Sequence, residues 1–422
     1  MSKHIIKAPK AITTFALTLA LLSAAAVIAT RPAAAAEEKK EKNTVSRELA
    51  KTLKAAQDEI GQKKYSDALA KLKDAEGNPK KTPFDEHVIN QLAGFAYAKT
   101  NNFPEASKAF EAQISDGFTP PEDVERLTKA VAQMNYQIKN YDKAIDYGNR
   151  LIKAGQADDE MYTLVGQSYY LKNDWKGTLK FEDSYIDSTI KKGGTPKKEP
   201  LDLALSSCVK LNDQDCISHH LEKLVQYYPK PEYWAQLLDT LLRAPQKNDK
   251  TQLQVYRLMS EVDVLKEPGD FTDMAQIALD QGSPGEAEHT LEKAFSKNVF
   301  PDKRTQDKNQ RLLESAKKAA ANDQATLPKA QKDAEAAPTG DKEVGVGLAY
   351  LGYQQYDKAI DALNKGIAKG GVKSVPEAKL LLGIAQLKGG HKDDAVKTFH
   401  DVKGDPTLER LAALWSLHAK QA

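Results

Sequence analysis

The chain has 422 residues, ample for a large core or a long solenoid, and 61 Lys and Arg stand against 59 Asp and Glu for a formal net charge of +2. Four of the basic residues, Lys3, Lys7, Lys10 and Arg31, precede the first acid, Glu37, so the chain beyond residue 36 has its charge lowered by four, to −2. A near-neutral body with 41% hydrophobic residues is ordinary for a soluble protein and excludes a general nucleic-acid role.

Residues 1–36 read as a targeting segment. A lysine-rich start precedes an uncharged, mostly apolar stretch over residues 11–29, and the run Ala33-Ala34-Ala35-Ala36 offers small residues for cleavage after Ala36. The alternative is an uncleaved anchor in the inner membrane, because the apolar stretch nearly reaches the length that spans a bilayer. Either way the domain is exported, and the composition points to a bacterial periplasm. Residues 37–46, EEKKEKNTVS, read as a charged, disordered linker.

Residues 47–229 read as helical hairpins. The first carries Ala56, Tyr65, Ala68 and Leu72. The second carries Gly94, Tyr97, Phe103, Ala106 and Phe110, with Pro104 where a second helix starts and proline is tolerated. The third has Ala132, Tyr141 and Ala144, but Gly148 takes the bulky position. The fourth has Gly166, Tyr169, Trp175 and Thr178; its bulky position holds Glu182, with Phe181 one place early, so its second helix is expected to be shifted or longer. A Gly/Pro/Lys loop over residues 191–200 leads to a degenerate fifth hairpin with Leu205, Cys208, Ile217 and Leu221.

Residues 230–300 continue with degenerate units. Trp234, Leu237, Leu238 and Leu241 open one, a polar loop over 244–249 precedes its second helix at 253–264, and Ala275, Gly282, Ala287, Leu291 and Ala294 mark the next. Residues 301–340 read as a diverged helical pair or a mobile connector, one face holding Leu312, Leu313, Ala316 and Ala320, the other Leu327, Ala330 and Ala334. Residues 341–403 contain the clearest signal. Gly347, Ala359 and Leu363 recur as Gly383, Ala395 and Phe399, with 36 residues between the glycines, a period that signals stacked supersecondary units. Residues 404–422 form an amphipathic helix with Leu411, Leu414 and Trp415 that caps the array.

Small residues at helix spacing let two helices approach, and bulky residues fill the space around the contact. This grammar resembles the tetratricopeptide repeat family, and the resemblance implies an all-α, right-handed α-solenoid of stacked antiparallel helix pairs ending in a capping helix. It also implies that first helices line a concave wall. The positions carried over are Arg126, Lys129, Gln133, Tyr136 and Gln137 in the third unit, and Gln167 and Tyr170 in the fourth, a polar and aromatic groove suited to an extended peptide. In the last units the same wall is apolar, with Leu348, Leu351, Leu380, Ile384 and Leu387. It suits an amphipathic helix unless the end helix covers it.

Catalytic and ligand-binding patterns fail on spacing. His219 and His220 are adjacent and point differently on a helix; HExxH, GKS/GKT and GxSxG are absent; Gly345, Gly347 and Gly352 have neither the spacing nor the preceding strand of a phosphate loop. No enzyme, cofactor or metal is expected. Cys208 and Cys216 flank a turn and read equally as a disulfide in an oxidising compartment or as two buried thiols. From residue 233 onward, YWAQLL, QGSPGEAEHTLEKAF, LNKGIAKGG, LLLGIAQ and LAALWSLHA occur in an order similar to periplasmic repeat proteins associated with TonB-type energy transduction systems. That resemblance implies a non-catalytic adaptor for protein or peptide partners in the cell envelope. The other readings are a scaffold for cell-wall or exopolysaccharide assembly and a hydrolase with an unrecognised site.

Overall fold

The computed structural model describes residues 43–243 and 249–421, and twenty α-helices and no strand occur among them. The targeting segment, most of the charged linker and nearly all of the polar loop at 244–249 lie outside the described residues. Ten helices run through the first half: α1 (Arg47–Gly61), α2 (Tyr65–Glu76), α3 (Pro83–Lys99), α4 (Phe103–Ser115), α5 (Pro121–Gln137), α6 (Tyr141–Lys153), α7 (Asp159–Leu171), α8 (Trp175–Lys191), α9 (Lys198–Leu211) and α10 (Gln214–Tyr227). Ten follow: α11 (Pro231–Leu242), α12 (Asp249–Glu261), α13 (Pro268–Asp280), α14 (Pro284–Ser296), α15 (Lys303–Glu335), α16 (Asp341–Gly352), α17 (Tyr356–Lys369), α18 (Val375–Lys388), α19 (Lys392–His400) and α20 (Pro406–Gln421).

Eight pairs share one link. The first helix ends at a residue with positive φ: Lys63, Asn101, Lys139, Asn173, Asn212, Gly282, Gln354 or Gly390. The next backbone N–H donates to the carbonyl five residues back, at 2.8 to 3.1 Å, as in Asn102 to Tyr97 and His391 to Gln386. This is the Schellman arrangement, which satisfies carbonyls that a helix end leaves unpaired. The second helix then starts at once, on an aromatic residue in five cases: Tyr65, Phe103, Tyr141, Trp175 and Tyr356.

Pairs are locked by a small residue and a bulky one sixteen positions later. A side chain on Gly347 would place its Cβ 2.6 Å from Leu363 Cγ, and one on Gly383 would stand 2.5 Å from Phe399 Cε1. Gly94 faces the Phe110 ring in the same way, and Gly166 faces the Glu182 carboxyl. In the third pair the order is reversed: Gly148 occupies the bulky position, and Val165 and Met161 of α7 fill its notch. The fourth pair has the longer second helix expected of it. Glu182 itself enters the notch, while α8 has 17 residues against 13 in α4 and α6, and Phe181 packs between Tyr162 and Tyr169.

The described residues divide into two compact units, with the division between Ile217 and Ser218, within α10. In the first, α1 to α9 pack in succession over two apolar clusters, one around Leu53, Leu72 and Leu92 and one around Phe110, Val131, Met134 and Leu164. In the second, the segment 301–340 is a correction. It forms a single helix of 33 residues, α15, whose buried residues Leu313, Ala316, Ala320, Leu327 and Ala334 keep one face across Pro328. The spacing of three, four and seven maintains that face, and two tyrosines, one in α16 and one just beyond its end, fasten it: Tyr350 Oη donates to Gln331 Oε1 (2.6 Å) and Tyr353 Oη to Asp323 Oδ2 (2.7 Å). The helix α20 packs on α18 and α19, with Leu411 and Trp415 fully buried and Trp415 stacked on Phe399. No described helix is long and apolar enough to cross a membrane.

Candidate partner-binding surfaces

In the first unit, first helices α5, α7 and α9 lie side by side and are tied by polar side chains. Lys129 Nζ on α5 reaches Asp158 Oδ2 at 2.5 Å and Glu160 Oε2 at 3.3 Å. Gln133 Nε2 donates to Glu160 Oε1 at 3.3 Å. Tyr136 Oη donates to Gln167 Oε1 on α7 (2.7 Å), and Gln167 Nε2 donates to Glu199 Oε1 on α9 (2.6 Å). Tyr170 Oη and Ser206 Oγ are 2.7 Å apart. Side chains of three helices thus form a hydrogen-bonded ladder.

The ladder corrects the expected groove. Gln133, Tyr136 and Gln167 are buried, with Tyr136 8% exposed and packed in the apolar cluster, edge-on to Tyr141 at 6.0 Å. Burial, with Tyr141 and Glu199 nearby, pushes the Tyr136 hydroxyl up to about 12. The carried-over positions assume a groove deep enough to leave these side chains free, but adjacent first helices sit close enough for each polar group to find a partner on the next. Four expected residues remain at the surface. Arg126 is exposed and paired with Asp123 on its own helix; Gln137 is exposed; Lys129 and Tyr170 are half-buried. Burial opposes the charge on Lys129, yet its hydrogen bonds to Asp158 and Glu160 hold the ammonium above its ordinary value.

The cysteines lie at the end of this unit. Cys208 near the end of α9 and Cys216 in the first turn of α10 form a disulfide, with Cα atoms 5.5 Å apart.

The second unit closes on itself. Its last helix, α20, returns to the start: Arg410 Nε donates to Glu222 Oε1 at 2.5 Å, Gln421 Nε2 donates to the Val225 carbonyl at 3.0 Å, and His418 stands edge-on to Trp234 at 6.3 Å. On α18, Lys388 Nζ donates to Glu261 Oε2 of α12 at 2.5 Å. Two cavities, of about 570 and about 240 Å³, lie in this unit, and Arg257 lines both. Arg257 is 6% exposed and binds Glu286 through two parallel hydrogen bonds of 2.7 and 2.6 Å.

The circuit also corrects the expected apolar wall. Leu380 and Ile384 are buried, Leu351 is 9% exposed, and Leu348 and Leu387 are half-buried, so they form no open apolar face. Leu351 and Ile384 line the larger cavity and Leu348 the smaller, opposite charged residues of α12 and α14. Nothing in the sequence signalled Arg257, Glu286 or Lys293 as cavity residues, because the facing helices are far apart in the chain.

Comparison with known proteins adds a partial family match. The model of the RNPP family C-terminal domain matches residues 37–193, less than half of the chain. No curated protein matches. Among solved structures, the tetratricopeptide domain of P58(IPK) is 10% identical over 89% of this chain and 99% of its own, with a TM-score of 0.23. Yeast Tom70 is 12% identical over 91% and 96%, with a TM-score of 0.25, and the pentatricopeptide repeat protein PPR10 from maize is 15% identical over 90% and 52%, with a TM-score of 0.31. TM-scores this low add nothing to the fold, which rests on the stacked pairs themselves. Antiparallel helix pairs with a shared left-handed link and a small-to-bulky lock sixteen residues apart give the described residues the all-α, stacked-hairpin architecture of a tetratricopeptide-like solenoid.

Proposed function

We propose that the chain is a non-catalytic scaffold, exported into the bacterial periplasm, that holds envelope proteins together as an accessory to a TonB-type energy transduction system. The observation that carries the binding part is the ladder across α5, α7 and α9. It holds Tyr170 against Trp175 at 5.0 Å and ties Lys129 to Asp158 and Glu160, so the side chains offered to a partner are already ordered. Ordered aromatic and cationic groups bind with less entropic loss than free ones.

The compartment rests on two supports. Residues 1–36 read as a targeting segment, and the Cys208–Cys216 disulfide is a bond that persists in oxidising compartments. The TonB-type association rests on the order of features after residue 233; Trp234, Leu237, Leu238, Leu411, Leu414 and Trp415 within them are buried and report the fold more than the partner.

The test is photo-crosslinking in the native envelope. A crosslinking residue is placed at Gln137 or Tyr170 on the first-helix wall, and at exposed Lys180 on the outer helix α8. Capture of one envelope protein of an energy transduction system from residues 137 and 170, and not from 180, is the expected result. Capture from 180 alone overturns the binding surface; capture of cell-wall or polysaccharide assembly proteins from 137 and 170 replaces the partner class.

A further inference from the structure

The larger cavity of the second unit contains a cation without an acid. Lys293 on α14 is half-buried, and its Nζ donates to the carbonyl and the hydroxyl of Ser260, both at 3.1 Å. Its charged neighbours are already paired with one another: Lys297 with Asp263 at 2.6 Å, Lys388 with Glu261 at 2.5 Å, and Arg257 with Glu286. Glu292, the other acid at the cavity, is paired with Lys317 at 2.7 Å. Among the described residues no carboxylate stands within ion-pair reach of Lys293. A half-buried ammonium held only by neutral oxygens gains from an anion that replaces the lost water.

Met274, Leu351, Ile384 and the Tyr356 ring form an apolar patch on the wall of the cavity, beside polar residues such as His289 and Gln354, and its volume of about 570 Å³ falls in the range of small-molecule sites, about 300–1,000 Å³. One cation without a carboxylate partner, beside an apolar patch and among charges that are already paired, suits an amphipathic ligand. We infer that this cavity binds a small organic acid, its carboxylate on Lys293 Nζ and its apolar body against Met274, Leu351 and Ile384.

Burial lowers the Lys293 ammonium from its ordinary value, and Lys297 and Lys388 act in the same direction against Asp263 and Glu261. A bound carboxylate reverses that balance, so binding of the acid is expected to be accompanied by proton uptake where the free amine titrates. This site is independent of the first-helix wall of the other unit and stands or falls separately from it.

The test is calorimetric titration of the chain from Glu37 onward with octanoate, octan-1-ol and octylammonium, which share one apolar body and differ in charge. Octanoate is expected to bind with one site per chain, octanol at least about ten-fold more weakly, and octylammonium not at all. Lys293→Met should weaken octanoate about ten-fold or more, Lys293→Arg should retain it, and Lys180→Met, in the other unit, should change nothing. Equal binding of octanoate and octanol, no octanoate binding, or unchanged affinity in Lys293→Met overturns the inference. If Lys293→Met does not fold, Lys293→Gln compared with Lys293→Arg decides the same point.

Discussion

The pairs α3–α4 and α7–α8 have the same backbone plan and different contents. In both, a glycine of the first helix opens a notch and a residue sixteen positions on fills it: Phe110 against Gly94, and Glu182 against Gly166. Phe110 is fully buried and apolar. Glu182 is 2% exposed, and burial, then the charges of Glu199 and Asp183, push its carboxyl well above the ordinary carboxylate range. The notch of Gly166 is thus filled by a polar side chain where that of Gly94 takes a ring. The fifth pair, α9–α10, uses a third device, a disulfide eight residues across its link.

The largest expected effect comes from emptying a well-filled notch. Phe110→Ala should cost about 3–5 kcal/mol, read from denaturant melts of the first unit's helicity, because a buried ring leaves a cavity the helices cannot close. A cost below about 1 kcal/mol would show that Gly94 and Phe110 do not lock the pair. Removal of the Cys208–Cys216 bond with a reductant should cost less, about 2–3 kcal/mol, since closing so short a loop removes little entropy from the unfolded chain. The check is the melting transition with and without reductant, and an unchanged transition would mean that the pair holds without it.

Glu182→Gln sharpens the comparison through pH. A folded value raised above the unfolded one means that the wild-type group is neutral without cost below the ordinary carboxylate value near 4.5. Its contribution is lost as pH rises through the raised folded value. Glu182→Gln has no charge to bury, so it should match wild type near pH 4 and exceed it by about 1–3 kcal/mol at pH 8. Urea melts across that range check it; parallel curves for the two proteins would mean that Glu182 is ionised in the fold.

Much of this plan was legible in the residues. The glycines, the bulky residues sixteen places on and the 36-residue period of residues 341–403 are local, so they survive in one sequence. Two features were not. Residues 301–340 read as a helical pair or a connector, yet the buried face from Leu313 to Ala334 carries α15 through Pro328 as one helix. The cavities are lined by residues as far apart in the chain as Arg257 and Ile384, and periodicity says nothing about which distant elements meet. The residues carried over to α5 and α7 do lie on neighbouring helices, but the depth of their side chains depends on how closely α5, α7 and α9 approach, and that distance is set by core packing.

That last point has its own measure. Tyr136→Phe keeps the ring in the core and removes the 2.7 Å hydrogen bond from its hydroxyl to Gln167 Oε1. A loss of about 1 kcal/mol is expected, with partner affinity nearly unchanged, because the buried hydroxyl serves the ladder. Lost affinity at full stability would restore Tyr136 to the partner surface.

The smallest expected effect separates the twin pairs α16–α17 and α18–α19. Their links are alike, but the left-handed position holds Gln354 with φ of 59° in one and Gly390 with φ of 85° in the other. A side chain at φ above zero crowds its own backbone, at roughly 1 kcal/mol, while glycine adopts the conformation freely and loses more entropy on folding. The two terms partly cancel, so Gln354→Gly should stabilise the second unit by about 0.5 kcal/mol. Gly390→Gln should destabilise it by a similar amount, because no atom lies within 4 Å of a Cβ placed there and only the backbone term changes. Equal and opposite shifts in the melting midpoint are the expected result. A large loss for Gly390→Gln alone would show that the two links differ in packing as well as in the residue they carry.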